Sequence, residues 1–158
     1  MTDDNNSDLI LEAILSTHEQ QLQTLRQRRS ALLRIASFNL VLLSILVGLA
    51  GVTVQAQLPV GPLELSIPIS LTMLSLVMAI VKYKDFGVHW GYALDREFAV
   101  EMSAIPSQNA FEELVGIYES AGKKNKSEIS SIDSWIFRII AVMCVSLGYL
   151  LVVIIASG

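Results

Sequence analysis

Charge is scarce in this 158-residue chain: Asp, Glu, Lys and Arg together make up 16% of it, where a soluble domain carries about 25%. Apolar residues reach 53%, which excludes a disordered chain and leaves more hydrophobic surface than one small soluble core can hide. Cysteine is almost absent. The single Cys144 cannot form an intramolecular bridge, so a disulfide scaffold is excluded as well. Histidine is equally rare: His18 and His89 are the only two, and they form no metal-ligand pair at helical spacing. Asp85, His89, Glu97 and Glu101 trace a crude acidic ridge that Ala93 interrupts, which is a poor metal site. A glycine-rich phosphate loop, a nucleophile elbow and a cysteine metal motif are all missing. Catalysis, a cofactor and a bound metal are therefore not expected.

What the chain does have is three long uncharged apolar runs, at residues 35–54, 65–81 and 139–156. Each comes close to the roughly 20 residues a helix needs to cross a bilayer. Pro68 falls in the first turn of the second run, where its missing N–H would be unpaired in any case. The sequence predicts an all-α, multi-pass membrane protein with three transmembrane helices and a short outer loop at 55–64.

All eleven basic residues avoid residues 55–64 and the end of the chain after Arg138. Arg26, Arg28, Arg29 and Arg34 precede the first run, and the other seven lie between the second and third. The positive-inside bias then places residues 1–34 and 82–138 in the cytoplasm, and the 55–64 hairpin and the C-terminus outside a cell membrane. The N-terminus opens on acidic residues with no early apolar stretch, so a cleaved leader is not expected and the first span serves as the targeting segment. Arg26, Arg28, Arg29, Lys82 and Lys84 lie where anionic lipid headgroups would be met. Acidic residues outnumber basic ones on both inner segments, which disfavours nucleic-acid binding.

Leu11, Leu15, His18, Leu22 and Leu25 recur at helical spacing ahead of the first span. They predict an amphipathic cytoplasmic helix, continuous with that span from about residue 8 to about residue 54. Two heptads leave two readings open: packing on the protein's own cytoplasmic segment, or association between copies. In a helix seam a charged His18 would be disfavoured beside Leu15 and Leu22, so acidification is expected to loosen the association.

Trp90, Leu94, Phe98, Met102 and Ile105 extend an apolar face beyond the second span, which is expected to run on helically to Pro106. Asn109 and Glu112 resemble a capping box for a short helix stopped at Gly122. A polar loop at 123–127 and a new helix capped by Ser130 or Asp133 are expected to follow, the last leading into the third span.

The spans carry no carboxylate, histidine or basic residue, the groups that ion-coupled transport usually places there. Their hydroxyls are expected mostly to bond back to their own helices. Ser37, Ser44, Gly48 and Gly51 share one face of the first span and form the expected helix-packing or pore-lining stripe, with Ala141, Val145 and Gly148 as its counterpart on the third. Asn39 is the best single polar contact candidate between helices. The leading expectation is a non-enzymatic homo-oligomer built through the first helix, with an oligomeric pore as its possible product. The alternative is a membrane-anchored adaptor or subunit whose cytoplasmic helices dock a protein partner.

Overall fold

A computed structural model describes residues 3–56, 62–88, 100, 104 and 106–157. Among these residues three helices have described bounds: α1 (Asp3–Ala56), α2 (Pro62–Lys84) and α3 (Ser107–Ser157). All three contain a stretch long and apolar enough to cross a membrane. At 1.5 Å per residue the 23 residues of α2 measure about 34 Å, against a hydrocarbon core of about 30 Å. Pro62 opens α2 where its fixed φ suits a first turn, and Glu64 complements the positive end of the helix dipole.

Several boundaries differ from those expected. Helix α1 starts at Asp3, ahead of residue 8, and continues unbroken to Ala56. Because α2 begins at Pro62, Pro68 lies in its interior and not in its first turn. A proline there removes one backbone bond to the preceding turn. Helix α2 closes with Asp85 N–H donating to the Val81 carbonyl, 3.0 Å, and residues 86–88 are not helical, so the span does not run on unbroken. Gly87 supplies the local weakness. The extension through Trp90, Leu94, Phe98, Met102 and Ile105 lies outside the described residues, as do 57–61 of the outer loop.

The largest correction concerns residues 107–157. Gly122 stops nothing, no loop forms at 123–127, and neither Ser130 nor Asp133 begins a helix, since α3 passes through all of them. A mid-helix glycine costs at most about 1 kcal/mol relative to alanine. That cost is set against the burial of Ala121 and Asn125 on either side of it.

Contacts divide the chain into two units: Met1–Gln27 with Gly87–Ser130, and Arg28–Phe86 with Ser131–Gly158. The second, here the span unit, holds the apolar runs. Its α1 buries Leu32, Asn39, Leu46 and Thr53, and its α3 buries Ile132, Ile139, Ser146 and Val153, seven residues apart in both cases. Helix α2 buries Leu65, Pro68, Thr72, Ser75, Ala79 and Lys82, at alternating spacings of three and four. A mean period of 3.5 is the pattern of knobs-into-holes packing. Arg28 meets Asp133, and farther along both helices Asn39 and Ile139 meet the same serine, so α1 and α3 run parallel. Thr72 and Ser75 reach α3 in reverse order, so α2 is antiparallel to both.

In the other unit, which is acid-rich, α1 buries His18 and Leu25, and α3 buries Ala121 and Asn125. His18 faces Tyr118, and Gln21 faces Gly122, so the helix segments are parallel here too. Within one copy the stripe meets the protein's own α3 at His18, with His18 and Leu25 buried, Leu11 and Leu22 half-buried and Leu15 exposed.

Candidate functional site

The centre of the span unit is a line of neutral polar groups. Asn39 Nδ2 donates to Ser75 Oγ at 3.0 Å, and Ser75 Oγ donates to the Ile139 carbonyl at 3.3 Å, tying α1, α2 and α3 together at one level. At a second level Ser146 Oγ lies 3.0 Å from Thr72 Oγ1 and donates to the Pro68 carbonyl at 2.9 Å. Asn39, Thr72 and Ser75 are fully buried and Ser146 nearly so. In a dry interior an unmade hydrogen bond is expensive, so these groups are fixed by one another. One acceptor is left over: buried Asn39 Oδ1 has no hydrogen-bond partner. The hydroxyls of Ser44, Thr53 and Ser66 bond back to Leu40, Ala50 and Leu63 of their own helices.

The small-residue stripe is elsewhere. Ser37, Ser44, Gly48 and Gly51 are exposed, as are Ala141, Val145 and Gly148 on α3. A Cβ added at Gly48, Gly51 or Gly148 would meet nothing within 4 Å. Within one copy these stripes do not pack on each other. The helices instead use the face one heptad frame away, Leu32, Asn39, Leu46 and Thr53 on α1, which sequence reasoning passed over except for Asn39. The signal was present: the seven-residue spacing that begins at His18 and Leu25 continues through Leu32 to Thr53 without a break.

One end of the span unit gathers cations. Arg28 Nε lies 2.8 Å from Asp133 Oδ1, with both side chains nearly half-exposed. Arg29 sits over the rings of Tyr83 at 4.6 Å and Phe86 at 5.5 Å, and Arg138 over Trp135 at 5.8 Å. Lys82 is buried and Lys84 exposed. Arg26 belongs to the acid-rich unit.

That unit carries a groove of about 550 Å³, within the range of small-ligand sites, floored by Ile14, Val115 and Tyr118 and edged by Gln21, Glu119 and Lys126. His18 packs edge-on against Tyr118, ring centres 5.2 Å apart at 74°. Lys123 Nζ lies 2.6 Å from Glu119 Oε1, and that hydrogen bond, then the lysine's charge, holds the Glu119 carboxyl below the usual carboxylate range. Among the described residues no three His, Cys, Asp or Glu side chains gather as a metal site; His89, Glu97 and Glu101 lie outside them.

No protein-family model, curated protein or solved structure matches the chain.

Proposed function

We propose that the chain is a non-enzymatic multi-pass membrane protein that works by associating with copies of itself through its first helix, and that the assembly encloses a pore. In this reading residues 1–34 and 82–138 are cytoplasmic and the C-terminus lies outside, as the distribution of basic residues requires. The observation that carries it is the exposed stripe at Ser37, Ser44, Gly48 and Gly51. It is a small-residue face on an apolar helix, of the kind that lets helix backbones approach closely in lipid, and the fold of one copy makes no use of it. The interior of one copy is filled by Leu32, Leu46, Leu65, Ile132 and Ile139, so a conducting path has to run between copies. Ser37 and Ser44 are the hydroxyls available to line it.

Gly48→Leu and Gly51→Leu test it, because a Cβ added at either position meets nothing within 4 Å inside the copy. The double variant is expected to lower the assembled mass in nanodiscs while keeping the helix content of the parent. An assembly of unchanged size counts against this interface.

A second reading, a membrane-anchored adaptor, is favoured by the groove between the α1 and α3 segments of the acid-rich unit. It predicts a monomer in nanodiscs, no conductance in liposomes, and loss of a co-purifying soluble protein on Ile14→Arg.

A further inference from the structure

We propose that Arg29, held against Tyr83 and Phe86, is the headgroup anchor for one anionic phospholipid on each copy of the chain. Six cations belong to the span unit, Arg28, Arg29, Arg34, Lys82, Lys84 and Arg138, and they sit at the ends of the apolar stretches opposite Glu64. They are not equivalent. Arg28 is neutralised by Asp133 at 2.8 Å, Lys82 is only 6% exposed, and Arg138 covers the ring of its near neighbour Trp135. Arg29 is exposed and makes no ion pair or hydrogen bond among the described residues, yet two aromatic rings from the end of α2 and the residues just beyond it hold its guanidinium. Rings over the guanidinium occupy its face. The N–H fork lies in the guanidinium plane and keeps the geometry that binds a phosphate through two parallel hydrogen bonds. A guanidinium already held in place loses less side-chain freedom on binding than a loose lysine does.

The choice of a lipid over a soluble phosphate comes from the next turn. Leu33, one turn beyond Arg29 toward the apolar stretch of α1, is 46% exposed, and Ile80, one turn before Tyr83 on α2, is 51% exposed. Both helices therefore offer apolar surface on the span side of the cation, where the acyl chains of a bound lipid would lie. The positive-inside bias explains why cations are present at this level, but it does not call for two aromatic rings brought to one of them from elsewhere in the chain.

The inference rests on the membrane-spanning reading and not on self-association. Full-length protein in nanodiscs of equimolar phosphatidylglycerol and phosphatidylcholine, with retained lipid counted per chain by native mass spectrometry, tests it. The parent and Arg28→Gln are expected to retain phosphatidylglycerol, and Arg29→Gln to bind it about fivefold more weakly, with phosphatidylcholine unaffected. Equal retention by Arg29→Gln, or an equal loss in Arg28→Gln, overturns the site. Displacement of the lipid by added inorganic phosphate overturns the choice of ligand. A chain that does not enter the discs overturns the membrane reading and the proposal together, whereas one that enters and ignores Arg29 overturns the proposal alone.

Discussion

Asn39 shows how a polar side chain is used inside the span unit. Its amide donates to Ser75, while its Oδ1 is buried without a partner. Hydrogen bonds between membrane helices contribute about 0.6 kcal/mol on average and at most about 1.7. Asn39→Leu loses that bond but also removes the orphaned acceptor, so the unfolding free energy in detergent is expected to change by less than about 1 kcal/mol. Leu46, at the next heptad position and 1% exposed, has no such compensation. Leu46→Ala is expected to cost about 2 to 4 kcal/mol in the same assay, because it opens a cavity. The Arg28 to Asp133 pair is short, but both partners are nearly half in solvent, so Asp133→Asn is expected to cost less than about 1 kcal/mol, and less still at high salt. Asn39 was legible in the sequence as a polar contact because it is the one amide in its apolar run. Its partner was not, because Ser75 looks the same in sequence as Ser44 and Ser66, which only bond back to their own helices.

At the scale of the element, the three apolar runs were legible from length and composition, and the unbroken path of α1 from its leucine stripe into the first span was legible from the lack of glycine and proline. Helix α3 was not. Gly122 followed by lysines and an asparagine has the local marks of a helix end, yet the helix continues through it with Ala121 and Asn125 buried. Gly122→Ala separates the two possibilities. A Cβ at this position would come 3.5 Å from Gln21 Oε1, an ordinary contact, so in a continuous helix the change is expected to stabilise by up to about 1 kcal/mol in thermal unfolding followed by circular dichroism. At a helix stop, where glycine adopts a left-handed backbone, the same change would destabilise. The small-residue stripe marks a related limit of sequence reading. Glycine and serine at helical spacing identify a face that can be approached closely, but not whether the approaching helix belongs to the same chain. The structure leaves that face open: a Cβ added at Gly48 or Gly51 would meet nothing within 4 Å.

For the whole molecule, the central claim is that this open face is where copies meet. Only a minority of each span is buried within one copy. The measurement that tests the claim most directly is the mass of the full-length protein in nanodiscs, by native mass spectrometry or light scattering. The account predicts an assembly of several copies with one fixed stoichiometry that falls apart when Gly48 and Gly51 are replaced by leucine. A monomer, or an assembly indifferent to those two substitutions, would contradict it.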